Sequence, residues 1–437
     1  MNLKICSLFR TYLFLYFKCM NKVYLCIDLK SFYASCECVL LGYDSMTTDL
    51  VVADKSRGEG TICLAVSASL KQKGVKNRCR LYEINKDLKY IIAKPRMSLY
   101  IKMSASIYKI YLKYVSKDDI LVYSIDECFL DITNYLDMYK MTPKQLAKTI
   151  IDDVYKQKGI CATCGIGTNM FLAKISMDIV SKYVDDHLGY LDEELFKKTM
   201  WYHTPITDFW NIGIGTATRL KKYGVNNLHD ITLLNEEILY KEFGSNAEFL
   251  IDHAYGKESC TIKQCHEYKS KSKSISNGQV LFEDYSYNDG LTVVKEMVEQ
   301  SSLQLIDKHL VSNNISLYIG YSKDIRRPTG GSIKLNGYFN SYNKFLKEFI
   351  NLYLNTTDPE FKIRRINIGF NNLKDESYLD IDLFDNSIEL EKEYKANKAI
   401  LEIQKLYGKN SILKGTNLLP KATTRIRNKL IGGHNSI

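Results

Sequence analysis

Three carboxylates carry the strongest chemical signal in this chain. Asp28 sits near the end of the apolar run Val23 to Leu29 (VYLCIDL), and Asp126 and Glu127 stand between two further apolar runs in ILVYSIDECFLDIT, Ile120 to Thr133. Runs of this kind read as buried strands. Acids that leave water on such strands need compensation, because an unpaired buried carboxylate is costly. A divalent cation supplies that compensation, and Mg²⁺ typically takes one or two carboxylates together with substrate phosphates. The chemistry expected is metal-assisted work on a phosphate ester. Spacing alone leaves a hairpin turn with a solvated strand end as an open alternative. Neighbours in a regular strand point to opposite faces, so Asp126 and Glu127 can share a site only at a turn or bulge.

A second phosphate signal lies in Asn211 to Thr216 (NIGIGT), followed by the helical ATRLKKYG. Glycines let a backbone approach a phosphate, and free amides at a new helix N-terminus receive it. Gly224 is placed to end that helix. The segment looks like a helix-hairpin-helix; a plain connector between helices is the competing reading. Cys161-x-x-Cys164 with Cys260, Cys265 and His266 lacks the matched spacing of a zinc site. The chain's twelve cysteines are scattered and mostly within apolar runs, as expected of reduced thiols in a cytosol.

The elements that must position these residues follow from periodicity. A strand ends at Leu29 and a helix covers Ser31 to Leu41. A basic strand-and-helix region runs from Leu50 to about Pro95, and Leu99 to Tyr114 is spaced helically. Pro143 to Lys158 is a helix opened by Thr142 as N-cap with Pro143 in its first turn. Cys161 to Gly167 is a short strand and Thr168 to Tyr183 an amphipathic helix. This alternation suggests an α/β domain to about residue 200. Trp201 to about Cys260 is helical, and the Ser/Lys-rich HEYKSKSKSISNG, His266 to Gly278, reads as a linker. Strand, helix, strand, strand, helix, strand then end at Arg364 to Phe370, an α+β pattern. From Lys414 the tail holds five basic and no acidic residues and reads as a solvated or phosphate-seeking arm.

Composition agrees with a multidomain globular protein. The 437 residues suggest about three domains. With 45% apolar and 25% charged residues, the composition disfavours disordered, collagen-like and membrane-spanning classes. A net charge of +10 points to a polyanionic partner. The apolar stretch Thr11 to Phe17 is too short for a membrane helix and is followed by no cleavage site. Met20 is the expected start, with residues 1–20 an N-terminal extension.

CIDLKSFYASCE (Cys26 to Glu37) and YSIDECFLD (Tyr123 to Asp131) resemble the two signature motifs of the Y-family, translesion DNA polymerases, of the UmuC/ImpB/MucB type, close to the SOS-linked members of Gram-positive bacteria. The likeness runs from about Asn21 to Phe384. It implies a right-hand polymerase of α/β plus α+β multidomain class. Palm and fingers would occupy 21–200 (fingers about 50–97), a helical thumb with the helix-hairpin-helix 201–262, a linker 263–277, a little finger 278–375 and a tail 376–437.

The resemblance also implies roles. Asp28, Asp126 and Glu127, with the Leu29 carbonyl, would hold two Mg²⁺ ions, Glu127 standing beside the primer terminus. Tyr33, with Phe32 beside it, would be the steric gate that excludes a ribose 2′-hydroxyl. Lys71, Lys174 and Ser67 would contact the triphosphate. The sequence departs from many branches in having Ala68 and Lys71 where Tyr and Arg are usual, and a lysine lacks the bidentate geometry of arginine. Gly213, Gly215 and Thr216 of the thumb and Arg326, Arg327 and Lys334 of the little finger would grip primer-template DNA. Tyr378 to Phe384 resembles a sliding-clamp-binding peptide anchored by Leu383 and Phe384, with Asp380 where glutamine is usual. The implied protein is a cytoplasmic, nucleoid-associated monomer that adds deoxynucleotides with low fidelity and no proofreading. The rival reading is a catalytically silent DNA- and clamp-binding accessory protein; a palm-type nucleotide cyclase is weaker, because of the thumb and little finger.

Overall fold

The computed structural model describes residues 22–270, 273–380 and 387–437. They form two compact units that divide between Tyr268 and Lys269. The first contains, in chain order, β1 (Tyr24–Leu29), α1 (Phe32–Leu40), β2 (Leu50–Val52), β3 (Ala65–Val66), α2 (Ala68–Gln72), β4 (Ile91–Ala93) and α3 (Met97–Tyr111). Then come β5 (Ile120–Val122), β6 (Glu127–Asp131), α4 (Pro143–Lys158), β7 (Ala162–Gly167), α5 (Met170–Asp178), β8 (Leu188–Leu191) and α6 (Glu193–Thr199). Helices α7 (Ile214–Lys221), α8 (Leu228–Thr232), α9 (Glu236–Phe243), α10 (Asn246–Ala254) and α11 (Ile262–Glu267) complete it.

The main sheet has the order β5-β6-β1-β7-β8, with β1 at its centre and antiparallel to both neighbours. A strand so placed is covered on both faces, which is why VYLCIDL shows no alternation; Tyr24 to Ile27 are at most 1% exposed. Thr142 caps α4 through the Gln145 amide in a capping box, with Pro143 in the first turn. The small sheet β3-β2-β4 has its own core, built from Val51, Val66, Leu70 and Leu81. Phe171, Leu172 and Ile175 of α5 share a core with Leu220, Leu228, Leu239 and Leu250, so one helix braces both the main sheet and the helical segment.

The second unit contains β9 (Ile275–Tyr285), α12 (Tyr287–Asp307), β10 (Leu310–Tyr321), β11 (Thr329–Phe339), α13 (Tyr342–Thr356), β12 (Ile363–Asn371) and α14 (Ser387–Tyr407). Its sheet, β11-β10-β12-β9, is antiparallel throughout and buries one face against α12 and α13. No helix among the described residues is long and apolar enough to cross a membrane.

Two expectations are corrected. Part of the stretch expected as linker is ordered into elements: α11 occupies Ile262–Glu267, held by the Thr261–Gln264 capping box, and β9 starts at Ile275. The basic tail is not a solvated arm. It folds back on α12, where the Thr423 and Thr424 amides donate to the Glu296 carboxylate and Asn417 donates to Glu299. Buried carboxylates need donors, and among the described residues the tail supplies them to both acids.

Candidate active site

The β1–β6 register sets Asp28 directly opposite Glu127. Residues so paired project from the same face of a sheet. Asp126 escapes the alternation of a strand because it precedes β6 in a bend. The Tyr123 and Ser124 amides both donate to the Glu127 carbonyl at 3.0 Å, and the Leu29 amide donates to the Asp126 carbonyl at 2.9 Å. Ser124 Oγ donates to Asp126 Oδ1 at 2.5 Å. The two adjacent acids thereby approach one region from a turn and a strand start. Burial, then the charges of Asp126 and Glu127, push Asp28 up to about 7.

Helix α5 lies directly on this sheet because glycines leave room for it. A Cβ at Gly165 would stand 2.1 Å from the Ala173 carbonyl oxygen, and one at Gly167 would stand 2.2 Å from the Ala173 amide. The close approach brings Lys174 Nζ to 2.9 Å from Glu127, with Asp178 3.0 Å away on its other side. Cys26 Sγ also donates to Glu127, at 3.2 Å. Burial would lower the Lys174 pKa, but its neighbours Cys26, Asp178 and Glu127 more than offset this and hold it above the ordinary lysine value. The Cys26 thiol is itself pushed up by burial. Lys174 thus lies beneath the acids, 8% exposed and engaged by two carboxylates, rather than open to a triphosphate.

The donor set suits a hard cation: oxygen ligands, two of them on Asp28 and Asp126, whose mutual repulsion raises a carboxyl pKa. Glu127 is drawn toward Lys174, and among the described residues no three His, Cys, Asp or Glu side chains converge as a ready-made ligand group. Leu29, the last residue of β1, is tied by its amide to the Asp126 bend.

Tyr33 is half-buried, whereas Phe32 is 2% exposed in the core and cannot face a substrate. Burial and then the charge of Asp126 raise the Tyr33 pKa, so the tyrosine lies within electrostatic reach of Asp126. Lys71 donates to Ser31 Oγ at 2.9 Å. Partial enclosure of its ammonium lowers its pKa; Asp28 and Asp126 oppose this, and Lys182 adds to it. Lys71 is therefore within reach of both acids and of a second lysine that sequence reasoning missed. Lys182 is exposed and has no ion pair among the described residues. Lys182 falls inside the stretch Thr168 to Tyr183 read as an amphipathic helix, where one lysine carries no signal of its own; the structure ends α5 at Asp178. Ser67 is excluded as a phosphate ligand: fully buried, its hydroxyl accepts from the Leu50 and Leu70 amides and caps α2.

In the helical segment Gly213 is the N-cap of α7, and a Cβ at Gly213 or Gly215 would meet nothing within 4 Å. The first-turn amides, including that of Thr216, border open space. Just before this loop, Trp210 Nε1 donates to Tyr123 Oη at 2.9 Å, joining it to the bend that holds Asp126. In the second unit Arg327 and Lys334 are exposed at the β10–β11 end and along edge strand β11, while Arg326 is paired with Asp358 at 3.0 Å. The face of that sheet away from the helices carries Ser276, Gly278, Ser316, Tyr318, Arg365 and Asn367. Leu383 and Phe384 lie outside the described residues. Asp380 pairs with Tyr338 of β11 through its own amide and its carboxylate.

Comparison with known proteins agrees with this geometry. The profile of the impB/mucB/samB family matches residues 27–178, and that of the family's C-terminal domain matches 272–383. UvrX of Bacillus subtilis, named for UV-damage repair, is 30% identical over 423 residues, 95% of this chain and 98% of that protein. DNA polymerase IV 2 of the same organism is 27% identical, covering 95% and 99%. Among solved structures, a Y-family DNA polymerase chimera of Dbh and Dpo4 aligns with a TM-score of 0.63 at 23% identity, over 80% of this chain and 98% of that one. Acids on a central antiparallel strand pair, a glycine-floored helix and two matching family profiles lead to one conclusion: the chain belongs to the impB/mucB/samB family.

Proposed function

We infer that this protein is a translesion DNA polymerase, adding deoxynucleotides to a primer under template direction. The observation that carries the reading is the meeting of Asp28 and Asp126 at the end of β1, where their repulsion favours a bound cation. Asp28 and Asp126, with Glu127 and the Leu29 carbonyl beside them, would hold two Mg²⁺ ions. Bound there, such ions supply the positive charge that eases attack of the primer 3′-hydroxyl on the α-phosphate and steadies the leaving pyrophosphate.

The chain's own residues do the rest. Lys71 and Lys182 receive the triphosphate tail, with Lys174 holding Glu127 in place from below. Tyr33 closes the sugar side of the site and discriminates against a 2′-hydroxyl by shape. The open amides at the start of α7, with Gly213, Gly215 and Thr216, take a DNA backbone phosphate, and Arg327 and Lys334 take others; Arg326 joins them on release from Asp358. No base edge needs reading for any of these contacts, which suits an enzyme that copies arbitrary and damaged templates. Leu383 and Phe384 are proposed to anchor a sliding clamp, the protein acting as a monomer at the nucleoid.

Primer extension tests the assignment: purified protein with Mg²⁺ and deoxynucleotides should lengthen a primer, and Asp126→Ala should abolish extension with primer-template binding nearly intact. Extension by that variant above a few per cent of wild type would reject the role given to Asp126.

A further inference from the structure

A gate that works by shape needs a ring that does not yield. An exposed tyrosine interconverts among rotamers, and a small displacement of the ring would admit a hydroxyl. Tyr33 is supported from behind. Its ring stacks on that of Tyr100, with centroids 4.5 Å apart and planes 16° from parallel. Tyr100, on α3, is fully buried, and its hydroxyl donates to Glu37 Oε1 at 2.6 Å. Glu37 is 2% exposed and lies one helical turn beyond Tyr33 on α1. Its carboxylate also accepts from Arg96, at 3.1 Å from Nε and through the guanidinium NH2 group to the second oxygen.

A buried acid on the inward face of a short helix is expensive to keep, and an apolar residue of similar size would serve stability at least as well. What the carboxylate adds is position. It fixes the Tyr100 hydroxyl, so the ring cannot slide in its own plane, and the stacked Tyr33 ring is held against it. Phe32, tilted against Tyr33 at 5.8 Å, flanks it on another side. Among the described residues, no hydrogen bond or ion pair joins Tyr100, Glu37 or Arg96 to Asp28, Asp126 or Glu127. We propose that Tyr100 and Glu37 are positioning residues for sugar selection, acting through Tyr33 to set how strictly the enzyme rejects ribonucleotides. The proposal rests on the reading of Tyr33 as the sugar gate.

The experiment is single-nucleotide insertion of matched deoxy- and ribonucleotides by the full chain, comparing kcat/KM for the two sugars in wild type, Tyr33→Ala, Tyr100→Phe and Tyr100→Leu. Tyr100→Phe removes one oxygen and keeps the stacked ring. Its discrimination should fall about tenfold, on the order of one hydrogen bond to a charged group, with deoxynucleotide insertion little changed. Tyr100→Leu, which also loses the stack, should relax further, and Tyr33→Ala furthest. Adding Tyr100→Phe to Tyr33→Ala should change nothing more, because the network acts through the ring already lost. A purely structural role for Tyr100 would slow insertion of both sugars alike and leave their ratio fixed. A wild-type ratio in both Tyr100 variants, beside a relaxed Tyr33→Ala, would overturn the proposal while sparing the gate. An unchanged ratio in Tyr33→Ala would overturn the gate itself and this proposal with it. Should Tyr100→Leu fail to fold, Tyr100→Phe, the smaller perturbation, decides.

Discussion

Lys174 Nζ and the Glu127 carboxylate form an ion pair at 2.9 Å in which both residues are less than a tenth exposed. A buried pair contributes little when compared with apolar residues of the same size, but breaking it leaves a charge with no partner, at a cost of about 3–5 kcal/mol. Lys174→Met should therefore destabilise the chain by about that amount in urea denaturation. A loss below about 1 kcal/mol would mean that Glu127 takes up a proton or water without strain.

Asp28 makes the stability of the metal-free protein depend on pH. Its folded-state pKa is raised to about 7 from an ordinary 3.8. Between those values the folded state binds more protons than the unfolded state, so stability falls as pH rises across the window and levels off above it. In the presence of a chelator, wild type should lose stability relative to Asp28→Asn between about pH 4 and about pH 7. Parallel stability curves for the two proteins would show that Asp28 is solvated like a surface acid.

Gly167 has no room for a side chain, since the backbone of Leu172 and Ala173 would meet its Cβ within 2.6 Å. Backbone cannot step aside, so Gly167→Ala must lift α5 and carry Lys174 with it. The expected cost is at the upper end of the usual overpacking range, about 3 kcal/mol, with loss of primer extension. Gly215→Ala, where nothing lies within 4 Å, is the control and should leave the melting temperature unchanged or slightly raised.

Arg327 and Lys334 test where the basic charge acts. If each meets one DNA phosphate, replacing both with Ser should flatten the slope of log K against log[salt] by about 2, at roughly 0.9 per contact. Fluorescence anisotropy of a labelled primer-template across a salt series measures it. A wild-type slope would assign the grip on DNA to other residues.

Much of this architecture is legible in the sequence because it follows from local rules. The Thr142-Pro143 start of α4, the apolar β1 broken only by Asp28 and the strand-helix-strand-strand-helix-strand order of the second unit all follow from periodicity and capping. The three acids and Tyr33 stand out in the sequence through their motifs, and their roles are proposals. What the sequence hides is which side chains are already occupied. Lys174 and Lys182 look alike in one dimension, yet one is buried against Glu127 and the other is open. Ser67 has the composition of a phosphate ligand and the geometry of a helix cap. Glu37 had a signal, as the one charge in FYASCECVL, but its partners Arg96 and Tyr100 lie some sixty residues away and no pattern of period 2 or 3.6 links them. The tail misleads for a similar reason: its basic residues suggest an arm, while the Glu296 and Glu299 that hold it are remote in sequence.

Only two tryptophans occur in the chain, Trp201 and Trp210. Trp201 donates its indole N–H to the Ala254 carbonyl inside the helical segment. Trp210 donates to Tyr123, on the approach to Asp126, and stands just ahead of the Gly213 turn offered to DNA. With Trp201 replaced by Phe, the protein's intrinsic emission would come from a single indole at the seam between the strand that bears the acids and the helix expected to take a phosphate. Its wavelength and quenching would then follow that seam in real time, on unlabelled protein, as DNA or nucleotide arrives.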